Sequence, residues 1–410
     1  MPEKRNGTLL GAYIALCALL VLFPACALGE PARELTQSCV FQTSDHKTLT
    51  CLSDGRYDTR WVSGKDSAAR LEITLPEGET CGGVYILFSG EGAAFDVQTP
   101  GDDGKWETVA SCQTDYLTGY AALSRACAGR LRIVPAGQSR RFRMAQIHVF
   151  APGETPEWVQ RWQPPCEKAD LLVLAAHPDD EVLFMGGTLP TYAGERGLQV
   201  QVCNLVPSTQ YRQLELLDCL WTCGVRHYPE FGSFGDVYKT SLSEMYRQSG
   251  WSRDAVYRYI TKVIRKYKPE VVVTHDIDGE YGHGAHKVCA DAMLKCIDRA
   301  ADTRIEARQV KEYGVWQVKK QYLHLYPENV VDMDWRVPLG AFGGKTAFAI
   351  AQEGFLCHRS QLHAKYAVED FGPYDNSLFG LAFSAVGADA EKNDFFENIL
   401  PESLSSSAAF

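Results

Sequence analysis

An apolar segment that runs directly into a cluster of ionisable side chains restricts the fold of this chain most strongly. Residues 171–175 are all apolar, and the next six residues are Ala176-His177-Pro178-Asp179-Asp180-Glu181. Such an apolar run is typical of a parallel strand that is buried on both faces. The histidine and the carboxylates then lie just past the carboxyl end of that strand, where open α/β sheets place their ligands.

Strands and helices alternate along the chain after residue 169. The pattern predicts strands at 171–176, 200–206, 271–274 and 322–326, and helices at 186–197, 212–223, 253–267 and 283–300. This order predicts an α/β domain with a Rossmann-like, doubly wound, mostly parallel sheet. The sequence has neither a Gly-x-Gly-x-x-Gly motif nor a P-loop lysine, so a nucleotide cofactor is not indicated.

Residues 30–150 follow a different pattern. Short alternating segments, separated by Gly, Asp and Ser, occur at 71–75, 83–88, 94–97, 131–134 and 146–150. Their regular spacing predicts a smaller antiparallel β-sandwich ahead of the α/β domain. Residues 151–168 are rich in proline and contain Trp158 and Trp162, which predicts a linker packed against a neighbour. The α/β domain is expected to span 169–400, followed by a disordered tail at 401–410.

The N-terminal 29 residues have the composition of a secretory signal peptide. Lys4 and Arg5 precede an apolar run, and Pro24 and small residues follow it. Two alternatives remain open, namely an uncleaved membrane anchor and a lipidated Cys26. All three predict an exported, extracellular or cell-surface protein of a bacterium, with membrane contact only through this segment.

Charge and cysteine content limit the remaining functions. The formal net charge is −10 and no basic block is present, so a nucleic-acid partner is not expected. Twelve cysteines lie outside the leader, and in an exported chain they permit disulfides. The pairs nearest in sequence are Cys39/Cys51 and Cys112/Cys127, but the connectivity stays open.

A second histidine cluster follows another apolar strand about a hundred residues later. Its sequence is Tyr281-Gly282-His283-Gly284-Ala285-His286. His177 and Asp180 can supply two metal ligands from one turn and His286 a third, with Asp179 left as a general base and His283 free to act on the substrate. Alone, the first turn would merely cap a helix, and the two histidines would be ordinary helix residues. Their joint placement at one sheet edge favours a metal site.

These motifs resemble the PIG-L/LmbE family of zinc-dependent N-acetylglucosaminyl deacetylases. The resemblance is carried by residues 176–181, by Gly186-Gly187-Thr188-Leu189 and by residues 281–286. It implies that His177, Asp180 and His286 bind zinc, or another divalent transition metal, and that Asp179 is the base. It also implies that His283 assists as acid or oxyanion partner. Gly284 and Ala285 depart from the bulkier filling that is common in that family.

Weaker matches suggest further site residues. Arg212, Asp236 and His358 resemble family positions that contact the substrate, and Tyr281 resembles an oxyanion donor. The alternatives are a surface ion pair for Arg212, a turn residue for Asp236, a structural histidine for His358 and a packed rim aromatic for Tyr281. For His275, at the end of the 271–274 strand, a core or supporting role is favoured.

The N-terminal part also resembles a known family, the discoidin-like (galactose-binding-like) domains. Residues 52–61, with Asp54-Gly55, Thr59 and Trp61, and residues 104–107 carry this resemblance. It implies a β-sandwich that binds a glycan, with a structural Ca²⁺ near Asp54 and Thr59. A purely structural spacer is the alternative.

Together these features predict an exported, metal-dependent hydrolase of a linear amide bond. Its expected reaction removes the N-acetyl group of an amino sugar or glycoconjugate. Two alternatives remain, namely a conjugate amidase for a larger acyl group and a non-catalytic glycan-binding surface protein.

Overall fold

The computed structural model describes residues 30–44, 47–64, 70–137, 141–362 and 365–400. The predicted signal peptide and the predicted C-terminal tail lie outside the described residues. Within the described ranges, no helix has both the length and the apolar character needed to cross a membrane.

The N-terminal part forms two antiparallel sheets. One has the strand order β1-β3-β8-β5-β6 and the other β2-β9-β4-β7. The strands are β1 Val40–Thr43, β2 Trp61–Val62, β3 Leu71–Thr74, β4 Thr80–Phe88, β5 Phe95–Pro100, β6 Trp106–Cys112, β7 Thr118–Ala128, β8 Arg130–Pro135 and β9 Arg143–Phe150. Apolar residues of both sheets, among them Ile73, Ile86 and Phe95, share one buried cluster. The β-rich N-terminal region is therefore confirmed.

The C-terminal part is built on a third, seven-stranded sheet with the order β12-β11-β10-β13-β14-β16-β15. Its strands are β10 Leu171–Ala175, β11 Val200–Asn204, β12 Glu230–Phe231, β13 Val271–Thr274, β14 Lys320–His324, β15 Val330–Asp332 and β16 Leu378–Ser384. Pairing is parallel from β12 through to β14, whereas β16 runs antiparallel to β14 and β15. The α/β class with a mostly parallel sheet is confirmed.

The helices of this part are α1 Asp180–Leu183, α2 Gln210–Thr222, α3 Leu242–Met245, α4 Arg253–Tyr267, α5 Gly284–Ala301, α6 Ala307–Tyr313 and α7 Ala347–Leu356. Helix α4 has the predicted bounds because both of its ends are encoded locally. The Ser252 hydroxyl accepts a hydrogen bond from the Ala255 amide at the start, and Lys268 adopts a left-handed conformation at the end.

One predicted helix, at 186–197, is wrong in its form. Helix α1 ends at Leu183, before this range, and within the range the structure has a π-helical segment, Pro190–Glu195, instead of one regular α-helix. Gly186 has a φ of +50°, which interrupts the helix, and Pro190 lacks the amide hydrogen that a continuous helix would use. The chain after the metal-facing turn therefore folds as two short pieces.

The N-terminal sheets pack directly on the α/β part. Tyr85 and Leu87 of β4 share a buried cluster with Leu171 of β10, and Trp162 of the linker segment is part of it. The Tyr57 hydroxyl also donates to the Asp218 carboxylate of α2 at 2.6 Å. These contacts fix the two parts against each other.

The cysteines in the described part of the chain are free thiols. The disulfides that the sequence permits, including Cys39/Cys51 and Cys112/Cys127, are thus not formed in this structure. Several thiols are buried in the α/β core, and burial raises the pKa of the Cys203 thiol to about 12. Such thiols are poor nucleophiles at neutral pH.

Candidate metal centre

The turn after β10 is held from three sides. The Asn204 side chain, at the end of the neighbouring strand β11, donates to the His177 carbonyl at 2.9 Å. The Arg212 guanidinium of α2 donates to the Pro178 carbonyl. The Asp179 amide donates to the Glu181 carboxylate at 3.0 Å. The orientation of His177, Asp179 and Asp180 is therefore set by neighbouring elements and not by the turn alone.

Three of the predicted ligand side chains converge on one point. The distances are 3.1 Å between His177 Nδ1 and Asp180 Oδ2, 3.3 Å between Asp180 Oδ2 and His286 Nε2, and 3.4 Å between His286 Nε2 and His177 Nδ1. Four ligands at ~2.0–2.1 Å around a tetrahedral zinc ion would lie about 3.3 Å apart. The triangle of donors therefore matches one face of such a tetrahedron.

The ionisation of these side chains also suits a cation. Burial lowers the pKa of His177, which favours the neutral imidazole that a metal requires. Burial opposes ionisation of Asp180, but His286, His177 and His275 outweigh it and hold the pKa of that carboxyl well below its usual range. Two overlapping buried groups can hold a metal ion, namely His177/His283/His286 and Asp180/His275/His286.

A buried carboxylate that sequence reasoning missed supports this site. Glu280 is 0% exposed and accepts from His286 Nδ1 at 2.7 Å, from His275 Nδ1 at 2.8 Å and from His324 Nδ1 at 2.6 Å. The bond from His286 leaves its Nε2 lone pair directed at the donor triangle. His275 has the supporting position expected for it, since its Nε2 accepts from the Ala176 amide.

We expect Glu280→Gln to weaken metal binding by about 10–100-fold, the usual effect of losing a carboxylate that orients a ligating histidine. The amide nitrogen of glutamine cannot accept a hydrogen bond, so at least one of the three histidines loses its partner. Competition with a chelator measures the affinity. Glu353→Gln, at a surface ion pair with Lys345, is the matched control. Equal affinities in the two variants would remove Glu280 from this role.

Asp179 occupies a strained position beside the donor triangle. Its φ is +126°, a conformation that costs about 1–3 kcal/mol for a residue other than glycine. Burial and the neighbouring Asp180 raise its pKa to about 7, against the opposing effect of Arg212 at 2.9 Å. A carboxyl with a pKa near neutrality is well suited to proton transfer.

The rings of His283 and Tyr281 also lie close to the donor triangle. The His283 ring centroid is 4.7 Å from that of His177, and its Nδ1 accepts from the Ala285 amide at 3.1 Å, so the proton of the neutral ring is on Nε2. Burial, with His177 and His286, lowers the pKa of His283 to about 3. The Tyr281 ring is 5.2 Å from His286, and burial raises the pKa of its phenol.

The three predicted substrate contacts lie in different places. Arg212 is directed at Asp179 and is half of an ion pair with it. Asp236 is exposed, and its charge acts on His177. His358 is 0% exposed and bonds Glu181 at 3.0 Å. In this structure His358 supports the turn through Glu181, and its contact with a substrate stays a prediction.

The unusual Gly284 has a structural reason. A Cβ atom at this position would lie 2.7 Å from the Lys239 carbonyl oxygen, to which the Gly284 amide donates at 2.6 Å. The start of α5 thus packs directly on the segment that carries Asp236 and Tyr238. The small residue allows the loop after β12 to reach the site.

The carboxylate oxygens of Asp54, which the sequence suggests as a calcium ligand, accept hydrogen bonds from neighbouring groups. Asp54 accepts from the Arg56 amide, from Gln146 Nε2 and from the Thr59 hydroxyl at 2.8–2.9 Å. Among the described residues, the side-chain groups that can hold a metal ion do not include Asp54. Asp54 therefore shapes the 54–59 turn in this structure.

With this geometry established, residues 172–297 match the family described as PIG-L, GlcNAc-PI de-N-acetylase. The matched segment contains the donor triangle, Asp179 and His283. The resemblance seen in the sequence is thus confirmed for this part of the chain and not for the N-terminal sheets.

Named relatives agree with this assignment. A 1D-myo-inositol 2-acetamido-2-deoxy-alpha-D-glucopyranoside deacetylase 1 from Catenulispora acidiphila is 29% identical over 197 residues, which are 39% of this chain and 57% of that protein. A deacetylase of the same name from Geodermatophilus obscurus is 29% identical over 215 residues, 44% of this chain and 68% of that one. The chain thus spans little more than half of the first relative.

A solved structure of N,N'-diacetylchitobiose deacetylase from Pyrococcus horikoshii is 19% identical, with a TM-score of 0.37 over 49% of this chain and 73% of that chain.

The sequence relatives are named deacetylases, and the matching family consists of hydrolytic deacetylases. Both findings agree with the prediction of a hydrolase that acts on an amide bond.

Proposed function

We propose that this chain is a metal-dependent deacetylase that hydrolyses the N-acetyl group of an amino sugar or glycoconjugate. One observation carries the proposal: a triangle of metal donors with edges of 3.1–3.4 Å lies next to a buried carboxyl of raised pKa. A cation site and an adjacent base are the two parts that amide hydrolysis at neutral pH requires.

His177, Asp180 and His286 are the residues that would hold the ion, and Zn²⁺ suits their two nitrogens and one carboxylate oxygen. Another divalent transition metal with the same ligand preferences is the alternative. When bound, the ion lowers the pKa of a water molecule and polarises the acetyl oxygen. The cation also favours the ionised form of the nearby Asp179.

Asp179 then acts as the general base. Its carboxylate accepts a proton from the attacking water, and the Arg212 guanidinium, 2.9 Å from Oδ1, keeps it oriented. The protonated Asp179 returns this proton to the nitrogen of the amino sugar as the C–N bond breaks. The products are acetate and the free amine.

His283 and Tyr281 stabilise the negative charge that develops on the acetyl oxygen. Because the pKa of His283 is lowered, the ring stays neutral and its Nε2–H donates a hydrogen bond without giving up the proton. The Tyr281 phenol, whose pKa is raised, also stays protonated and serves as a donor.

The remaining expectations extend this proposal to the rest of the chain. The α/β part would be Rossmann-like and doubly wound, and the N-terminal sheets would be a discoidin-like domain that binds a glycan. Asp236 would contact a sugar hydroxyl, and Ca²⁺ near Asp54 would be structural. The chain would be exported and act outside a bacterial cell or on its surface.

The test is acetate release from N-acetylated sugars and glycans, with and without a chelator. We expect release that the chelator abolishes and that added Zn²⁺ restores. Acetyl and longer acyl substrates are compared side by side, because a conjugate amidase would prefer the longer group. Release that is insensitive to the chelator, or absent from every substrate, would reject the proposal.

A further inference from the structure

A cavity of about 360 Å³ lies where the N-terminal sheets meet the α/β part. One wall is the turn Gly55–Asp58, which follows Asp54, and the other is formed by Tyr211 and Glu215 of α2 with Arg359 and Ser360. Neither part of the chain forms this cavity alone.

Helix α2 connects the cavity to the metal centre. On α2, Tyr211 directly precedes Arg212, and Glu215 follows it by three residues. Residues three apart lie on the same side of a helix, so Arg212 and Glu215 project from one side of α2. Arg212 contacts Asp179 directly. Glu215 in turn accepts from the amide and the hydroxyl of Ser360. The cavity wall on α2 thus includes a residue within one helical turn of Arg212, the residue that contacts the base.

The walls are held in place by contacts between the two parts of the chain. The Arg359 guanidinium donates to the Gly55 carbonyl at 2.7 Å and lies over the Tyr57 ring at 4.9 Å. The Tyr57 hydroxyl is bonded to Asp218 of α2. A cavity with fixed walls can bind a ligand without first ordering a loop.

The charges of the lining favour a neutral ligand with many hydroxyl groups. Arg56 and Arg359 are balanced by Asp58 and Glu215, so the lining carries no net charge. Arg56 and Asp58 form an exposed ion pair at 2.7 Å, which offers both donors and acceptors. Tyr211 adds an aromatic surface, and the volume is within the usual range for small-ligand sites.

The contact region continues beyond this cavity. On the far side of Tyr57 and Arg359, a second cavity of about 310 Å³ is lined by Tyr85, Trp158 and Trp221. Trp158 is 44% exposed, so part of its ring faces solvent. The two cavities share Tyr57 and Arg359 as lining residues, and together they are called the groove below.

We infer that this groove binds the sugar units next to the one that reacts, so that the preferred substrate is an N-acetylated oligosaccharide and not a free monosaccharide. The inference rests on the proposed function. According to this inference, the N-terminal part forms one wall of the substrate groove, and Tyr211 and Arg56 determine substrate specificity.

The experiment compares kcat/KM for acetate release from N-acetylglucosamine and from its dimer, trimer and tetramer. We expect wild type to prefer the oligomers, and Tyr211→Ala and Arg56→Ala each to reduce that preference at least fivefold, equal to ~1 kcal/mol. Tyr211→Phe should retain it. The matched controls are Tyr313→Ala on α6 and Arg125→Ala, which loses a similarly exposed ion pair with Glu107.

Calorimetric binding of the tetramer to Asp179→Asn enzyme separates the two proposals. If adding Tyr211→Ala to the Asp179→Asn enzyme weakens tetramer binding, the groove is supported. Absence of acetate release from every substrate would reject only the deacetylase proposal and would leave that binding result standing. Wild type without a preference for oligomers, or equal losses in the Tyr211 and Tyr313 variants, would overturn the groove while leaving the deacetylase intact.

Discussion

Asp179→Asn is expected to lower kcat for acetate release by about 10²–10⁴-fold, the range that a positioned general base contributes. Asparagine keeps an oxygen for the Arg212 hydrogen bond and tolerates the left-handed backbone at this position. It cannot accept the proton of the attacking water. The three donors of the metal triangle are unchanged, so metal content should equal that of wild type.

Stability provides the control for this variant. Burial and Asp180 raise the pKa of Asp179, which means that the folded chain disfavours its charge. In the metal-free protein, removing the charge should therefore not lower the midpoint of thermal unfolding. Asp254→Asn, at an exposed ion pair with Arg258, controls for the substitution itself. Turnover near that of wild type in Asp179→Asn would show that another group accepts the proton.

The parts of the fold that the sequence predicts well are those with a local cause. Strand β10 is a short, fully apolar run, β13 consists of three valines and a threonine, and α4 has a capping serine and a regular apolar face. The predicted helix at 186–197 failed because Gly186 and Pro190 act on the backbone more strongly than the apolar spacing does. In β4, both faces are buried, one of them against the α/β part, and alternation alone gives no sign of this.

In the candidate site, too, the residues with a local sequence signal are predicted, and those placed only by the tertiary fold are not. His177, Asp180 and His286 follow from motif spacing, because one turn and one helix start carry them. Glu280 and His324 support the site only through contacts that the tertiary fold creates. The available signal for Glu280 is its position directly before residues 281–286, a segment that already contains three predicted site residues. For Asn204, the signal is a polar residue at the end of an apolar strand.

His286→Ala is expected to remove the bound metal and to lower acetate release by about 10³-fold or more, since two donors remain and the attacking water is no longer activated. His286 is fully buried and also bonds Glu280, so the variant can lose stability as well.

His177→Gln therefore provides a second test, because glutamine fills similar space but binds Zn²⁺ weakly. His227→Ala, which removes an imidazole bonded only to the Pro164 carbonyl among the described contacts, is the matched control. Elemental analysis of the purified proteins measures metal content beside activity, and a folded His177→Gln protein with full metal and full turnover would show that these imidazoles do not form the centre.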